Sequence, residues 1–448
     1  MRLRIERALR QLPLTEHDIL TSGVQLAASK FVLQFTAKLK PDSLFFDFRG
    51  KIATVAGHFG RYGLTLDTYL RAAIKQPPLF CMSPATVIAN IEAVPKHFRR
   101  QGLELPDYLQ AAVRQPPLFC MSPATIIDNV KAVAKHFQPQ GLTLSAYLRA
   151  AVRQPSLFCM SPSTIIDNVK AVAKHFQPQG LTLSAYLKAA VRQPPLFCMS
   201  PATVIANVQD VTTPFGEQGL MVDTYLRAAA KQPQLFYQSP TTIKANIEEV
   251  VERFRDQGLT LTAYLEAAVK QPPLFCMSPT TITANVRGVA THFGEQGLAL
   301  STYLRAVLKH PSLFYQSPAT VIANIEGVVE RFRDQGLTHS AYLGAAVKQP
   351  SLFYQSPSSI IGHVNLLIEM HRLELLEFEK QQDAPPDQPL RPLFDFLVRC
   401  PLFFCLADDN YGMRLEYARI TGDRPGGVVL LTRSRSRIEV DLARALAG

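Results

Sequence analysis

The sequence predicts an all-α fold, an α-solenoid of about eight 39-residue repeats, each made of a long helix, a short helix and a 3₁₀ turn, with helical caps at both ends. A proline followed one residue later by a hydrophobic pair, usually Leu-Phe, recurs every 39 residues. It stands at Pro77, Pro116, Pro155, Pro194, Pro233, Pro272, Pro311 and Pro350. Between these prolines, apolar residues are spaced as on one face of a helix. Because one repeat cannot bury that face alone, neighbouring repeats must stack.

The residues 122–158 illustrate the elements of one repeat in order. Ser122-Pro123 predicts a helix start, since the serine hydroxyl can cap and proline fits the first helical position. The long helix then carries an apolar stripe and ends near Gly141. The stripe consists of Ile126, Ile127, Val130, Val133 and Phe137. A shorter helix follows and ends at Pro155. Its apolar side consists of Leu144, Tyr147, Leu148, Ala151 and Val152. The Pro-x-Leu-Phe segment is too short for another helix and predicts a 3₁₀ turn or an extended corner.

The regularity of the repeat changes at both ends of the chain. Residues 1–62 are predicted to be an N-terminal helical cap that contains a degenerate repeat, because Lys51–Gly63 matches only the end of a long helix. The repeat array then occupies residues 63–371. Residues 372–391 are rich in Pro, Asp and Gln and predict an insertion or linker, and residues 392–448 form the predicted C-terminal cap.

Composition limits the classes of function. The 448 residues include 47 Lys and Arg against 36 Asp and Glu, a formal charge of +11, which suits polyanionic partners. The seven cysteines show no CxxC or CxxH spacing, so we expect a reducing compartment, an organelle or the interior of a bacterial or host cell. No apolar run is long enough to span a membrane. No phosphate-cradling glycine loop, paired acid or Ser/His/Asp arrangement occurs, so we expect no enzyme activity, cofactor or metal. We also expect a monomer.

The order of motifs within a repeat resembles that of a known family. A long helix, Gly-Leu-Thr-Leu, a short Tyr-Leu-x-Ala-Ala helix and Lys-Gln-Pro-x-Leu-Phe is similar to the unit of the mitochondrial transcription termination factor (mTERF) family. The segment from Asn410 to Leu446 is similar in layout to the C-terminal segment of that family. The resemblance covers roughly residues 45–445, although these repeats are longer and far more uniform. It implies binding of double-stranded nucleic acid along a basic surface.

A cation stands two residues before the proline in every repeat, and one more occupies that position in the C-terminal cap. These residues are Lys75, Arg114, Arg153, Arg192, Lys231, Lys270, Lys309, Lys348 and Arg399. Stacked helices lie about 8–10 Å apart, roughly three base steps along one strand. A row at this spacing predicts phosphate contacts. The alternative is that a cation at a helix end favours the helix dipole and caps its carbonyls.

Two further rows of cations are weaker. One lies near the end of the long helix and offers secondary candidates for nucleic-acid contacts, or simply an exposed helix end that favours cations. It consists of His97, His136, His175, Arg253, His292 and Arg331. The other lies on the short helix and is interpreted as solvated surface. It consists of Arg71, Arg149, Lys188, Arg227 and Arg305.

An asparagine recurs inside the long helix, where it costs helix propensity and needs a compensating partner. The column runs through Asn90, Asn129, Asn168, Asn207, Asn246, Asn285 and Asn324, with His363 in the last repeat. A base or phosphate contact is one reading. We prefer a buried column that satisfies the irregular Pro-x-Leu-Phe backbone of the adjacent repeat.

The pair after Leu-Phe has two states, Cys-Met or Tyr-Gln. A modular code would use such a pair, since Gln can contact adenine and Tyr can stack on a base. The candidate base-reading residues are Tyr237, Gln238, Tyr315, Gln316, Tyr354 and Gln355. Two of these repeats also share Val-Val-Glu-Arg-Phe-Arg-Asp-Gln, which favours duplication of whole parent repeats instead. The cysteines are then interpreted as core filling.

The sequence therefore predicts a nucleic-acid-binding solenoid with a transcription-regulatory or termination role, with double-stranded DNA favoured and RNA as the other nucleic acid. The alternative is a protein-interaction scaffold or secreted effector that binds a protein partner.

Overall fold

The computed structural model describes residues 48–80, 82–372, 390–405 and 435–447, with positions 413, 416, 417 and 420. It confirms the predicted all-α solenoid: helices pack against their neighbours in chain order, and these residues contain no strand. Residues 1–47 of the predicted N-terminal cap, residues 373–389 of the predicted linker and much of the predicted C-terminal cap lie outside the described residues.

Long and short helices alternate along the chain. The long helices are α1 Phe48–His58, α3 Pro84–Phe98, α5 Pro123–Phe137, α7 Pro162–His175, α9 Pro201–Phe215, α11 Pro240–Arg253, α13 Pro279–His292, α15 Pro318–Phe332 and α17 Pro357–Arg372. The short helices are α2 Leu66–Lys75, α4 Leu105–Arg114, α6 Leu144–Arg153, α8 Leu183–Arg192, α10 Val222–Lys231, α12 Leu261–Lys270, α14 Leu300–Lys309, α16 His339–Lys348 and α18 Arg391–Arg399. A last helix, α19, spans Arg435–Ala447.

A four-residue corner follows each short helix, as the Pro-x-Leu-Phe motif predicts. The corner is a 3₁₀ turn at Pro116–Phe119 and at most other copies, and one α-helical turn at Ser156–Cys159. The long helix passes into the short one through a tight turn that ends on a left-handed glycine, such as Gly141 with φ 91°. This conformation is the reason for the glycine, because a Cβ atom is disfavoured at positive φ.

The helix starts also follow the sequence. Proline occupies the first turn of α3, α5 and their equivalents, and the hydroxyls of Ser83 and Ser317 accept a hydrogen bond from the third helical N–H. Ser122 makes no such bond, so at α5 the start depends on Pro123 and on backbone bonds.

The described residues divide into two compact units. The first takes in the chain up to Asp210 together with Ala229–Tyr237, and the second takes in Val211–Ala228 and the chain from Gln238 onward. Each unit has the same kind of core, in which the apolar stripe of the long helix meets the Tyr-Leu-x-Ala-Ala side of the short helix and the Leu-Phe of the corner. In the first unit Val130, Phe137 and Tyr147 are fully buried.

The asparagine column joins each long helix to the corner that ends the same repeat. The Asn90 amide donates to the Phe119 carbonyl at 3.1 Å, and the Asn285 amide donates to the Phe314 carbonyl at 3.0 Å. Asn168 and Asn207 make the equivalent bond, and His363 Nδ1 lies 2.9 Å from the Phe404 carbonyl. The predicted bond from this column to the corner backbone is confirmed at these positions, because a corner carbonyl without a helical partner needs a donor. The acceptor belongs to the same repeat and not to the adjacent one, and Asn168 and Asn207 are only half-buried.

Candidate nucleic-acid interface

The short-helix row is the set of nine cations that the sequence singles out before the corner prolines. Each is the last residue of its short helix, from Lys75 at the end of α2 to Arg399 at the end of α18. All nine side chains are exposed. Lys75, Arg114, Arg153, Arg192 and Lys231 belong to the first compact unit, and Lys270, Lys309, Lys348 and Arg399 to the second.

Three arginines of this row contact the next repeat. Arg114 Nη1 donates to the Arg153 carbonyl at 3.3 Å, and its Nη2 donates to the Val152 carbonyl. Arg153 makes the same pair of bonds to Arg192 and Val191, and Arg192 to Lys231 and Ala230. These carbonyls end a short helix and have no partner within it. The alternative role of these cations, capping the carbonyls at a helix end, therefore applies, but the capped helix belongs to the following repeat.

The carbonyl bonds leave the charge of the row accessible. Each guanidinium uses one Nη1–H and one Nη2–H on the carbonyls, while the rest of its donors and its exposed face remain open. In the second compact unit the row has lysine in its three repeats and arginine only in the C-terminal cap, and Lys348 Nζ donates to the Val398 carbonyl at 3.4 Å. The carbonyl bonds hold the three arginines in one orientation, which reduces the side-chain entropy that would be lost on binding an anion.

The long-helix row splits into partnered and unpartnered members. His292 Nε2 lies 2.8 Å from Glu326 Oε1, Arg253 Nε donates to Glu249 at 3.0 Å, and the Arg331 guanidinium lies 5.4 Å from the Phe332 ring centre. The glutamate that meets His292 lies 34 residues later in the chain. At the equivalent position, His97 and His136 have Lys131 and Lys170 instead.

These lysines belong to a basic region in the C-terminal halves of α5 and α7. Lys131 and Lys135, one turn apart on α5, line an open recess of about 510 Å³ with Gly141 and Thr143 of the following loop. Lys170 and Lys174 occupy the same positions on α7, and all four lysines are exposed. None of the four forms an ion pair within the residues that the structure describes. This unpaired charge is available to an anionic partner.

The third row lies one turn before the short-helix row, on the same exposed stripe. Arg71 and Arg227 are held by Asp67 and Asp223 of their own helices. Arg149 and Lys188 are exposed and form no ion pair with any described residue. At these two repeats the short helix therefore presents two cations, a surface that the sequence interpretation treats only as solvated.

The Tyr-Gln pair is less open than a base-reading pair requires. The Oε1 atoms of Gln238, Gln316 and Gln355 are buried without a hydrogen-bond partner in the described part of the chain. Tyr315 is 41% exposed, whereas Tyr354 is half-buried. Bidentate contact with adenine needs the amide oxygen, which is buried here. Base reading by these residues stays a prediction, and phosphate contacts from the short-helix row do not depend on it.

The cysteine column lies between repeats as uncharged thiols. Burial raises the pKa of Cys159 to about 11, although a hydrogen bond with Gln115 acts in the opposite direction, and burial raises the pKa of Cys276 to about 12. All six described cysteines are free. A thiol that resists ionisation is a poor nucleophile and metal ligand, which agrees with its interpretation as packing.

Comparison of the sequence with models of protein families finds no match, and comparison with curated proteins finds none either. Within the residues that the structure describes, no three His, Cys, Asp or Glu side chains are grouped as metal ligands would be. No helix among them has the length and apolar character needed to cross a bilayer.

Sequence reasoning missed the uneven distribution of charge because it compared the repeats column by column. Residues 123–200 contain eight Lys and Arg against two Asp, whereas residues 240–278 contain four against five. Counting Lys and Arg against Asp and Glu within each repeat reveals this uneven distribution.

Proposed function

We propose that this protein binds double-stranded nucleic acid through phosphate contacts from the short-helix row. The observation that carries the proposal is that all nine cations are exposed at the same position of successive short helices. Each Lys or Arg that meets a phosphate releases condensed counterions, which supplies most of a sequence-independent affinity.

The geometry of the row supports this function in two ways. Adjacent helices pack about 8–10 Å apart, which corresponds to roughly three base steps of about 3.4 Å along one strand. The carbonyl bonds of Arg114, Arg153 and Arg192 orient three guanidinium groups in advance. Duplex DNA is favoured over RNA, and the resemblance to mTERF repeats supports a role in transcription regulation or termination.

The test is the affinity for a 20-base-pair DNA duplex, measured by fluorescence anisotropy at several salt concentrations. If the eight repeat cations all contact phosphates, the logarithm of the association constant falls with the logarithm of salt concentration with a slope of about −7. Duplex RNA and single-stranded DNA of equal length are the matched probes. A flat salt response, or no binding at low salt, contradicts the proposal and favours a protein partner.

A further inference from the structure

Two adjacent repeats, residues 123–161 and 162–200, are almost the same sequence. They differ only at Ala124/Ser163, Arg149/Lys188 and Ser156/Pro195, and we call them the tandem pair. Each cation of the first repeat has a counterpart 39 residues later. The eight cations are Lys131, Lys135, Arg149, Arg153, Lys170, Lys174, Lys188 and Arg192. Both repeats lie in the first compact unit, so the same pattern of charge is presented twice along it.

The charges of the tandem pair are exposed and have no anionic partners. All eight cations are exposed, and none forms an ion pair within the described part of the chain. Among the described residues, only Arg153 and Arg192 of these eight form side-chain hydrogen bonds, and these go to backbone carbonyls, which leave the net charge unchanged. An anion can therefore bind here without first breaking an intramolecular ion pair.

Two surfaces of each repeat take part. On the long helix, Lys131 and Lys135 line the recess beside Gly141 and Thr143. On the short helix, Arg149 and Arg153 stand one turn apart on the exposed stripe. The two lysines lie beside Thr143, where the short helix begins, and Arg153 is its last residue. Cations therefore stand near both ends of a helix about 15 Å long, at about 1.5 Å per residue.

The cations of the second compact unit are differently placed. Arg253 pairs with Glu249, Arg255 with Glu252, and His292 with Glu326. Residues 318–356 contain three Lys and Arg and three Asp and Glu. A phosphate approaching these repeats meets carboxylates as well as cations, which lowers the local potential.

We infer that the tandem pair is the principal phosphate-binding segment among the repeats that the structure describes, and that the lysines in the C-terminal halves of α5 and α7 contact the nucleic acid together with the short-helix row. This rests on the proposed function and narrows it: one segment of the array supplies most of the salt-dependent affinity, with contacts that include Lys131, Lys135, Lys170 and Lys174.

The experiment compares two quadruple variants that remove equal charge. The first carries Lys131→Gln, Lys135→Gln, Lys170→Gln and Lys174→Gln. The control carries Lys244→Gln, Arg255→Gln, Arg305→Gln and Arg333→Gln, in the second compact unit and outside the short-helix row. Binding of the 20-base-pair duplex is measured from 50 to 300 mM salt, and circular dichroism melting shows whether each variant is folded.

The expected result is a slope that becomes shallower by about 3.6 in the first variant, at about 0.9 per lost phosphate contact, and by less than about 1 in the control. Equal changes in the two variants indicate a general effect of net charge and overturn the inference. A steep wild-type slope that the first variant leaves unchanged overturns the inference alone. A wild-type protein that does not bind DNA, or binds with a flat slope, overturns the proposed function and the inference with it.

Discussion

Arg153 donates a hydrogen bond from Nη1 to the backbone carbonyl of Arg192 at 3.2 Å, and the two residues occupy the same position in consecutive repeats. Arg114 stands in the same relation to Arg153, and Arg192 to Lys231. In the first compact unit the residues that present positive charge therefore also join one repeat to the next. Under the proposed function, stability and nucleic-acid binding would depend on the same side chains there.

Removing this connection is expected to destabilise the first unit. Arg153→Gln loses the charge-assisted bonds to the end of α8, and exposure limits the cost to about 1 kcal/mol. Arg149→Gln, one turn earlier and exposed, removes the same charge without a carbonyl bond and is the control. Urea unfolding followed by circular dichroism measures both variants. Equal midpoints for the two would show that the carbonyl bonds contribute nothing.

Asn285 of the asparagine column gives a larger expected effect because it is buried. Asn285→Ala leaves the Phe314 carbonyl without its donor, at an expected cost of about 1–3 kcal/mol in the free energy of unfolding. Thr280→Ala, at an exposed position of the same helix α13, is expected to change stability by less than about 0.5 kcal/mol. Thermal melting distinguishes them. An unchanged Asn285→Ala protein would mean that another donor reaches the corner.

Two glycines of one repeat are expected to respond in opposite directions to alanine. Gly336 has φ 103°, so Gly336→Ala places a Cβ in a left-handed conformation and costs about 1–2 kcal/mol. Gly344 lies inside helix α16 and has open space around its Cα, so Gly344→Ala stabilises by about 0.5–1 kcal/mol. Denaturant midpoints give the sign of each change. A shift in the same direction for both contradicts the assignment.

Thiol ionisation should make stability depend on alkaline pH. Because burial raises the pKa of Cys159 from 9.0 to about 11, the unfolded chain loses this proton at lower pH than the folded chain. The stabilisation is complete below pH 9 and is lost as pH rises towards 11. At pH 8 the folded thiol is about a hundredfold less ionised than the unfolded one, so it reacts correspondingly more slowly with a disulfide reagent. Cys159→Ser identifies its share of the signal, and equal rates in native and urea-unfolded protein would contradict the prediction.

Sequence periodicity predicted most of the fold because every repeat restates the same local signals. The starts of α3 and α5 at proline, the left-handed Gly141 and the corner after α4 all follow from residue types with strong backbone preferences. The predicted apolar side of the short helix was less accurate: Ala150, which was not included, is buried, whereas Leu144 and Val152 are only half-buried.

The candidate site was less predictable, since its contacts join residues far apart in the chain. The acceptor of Asn90 lies 29 residues later, and the partners of His292 and Arg153 lie 34 and 39 residues later. The sequence indicates that such columns exist, but only the packing of adjacent helices determines which columns meet. The carboxylate opposite His292 and the lysine opposite His97 have the same structural position and opposite charge, so the column of cations alone could not show which repeats remain basic.

These fixed separations also bear on how the array can change in length. Removing residues 162–200 would join Ser161 to Pro201 and leave Arg153 followed, at its usual distance, by another short helix end. Insertion of one more copy of this repeat would likewise leave Arg153 followed, at its usual distance, by a short helix end. Gain or loss of a whole repeat within the array thus preserves the spacing between equivalent residues of neighbouring repeats, while the loss of a few residues within a repeat would misalign all three columns at once. The row of exposed cations can therefore be lengthened or shortened in steps of one repeat.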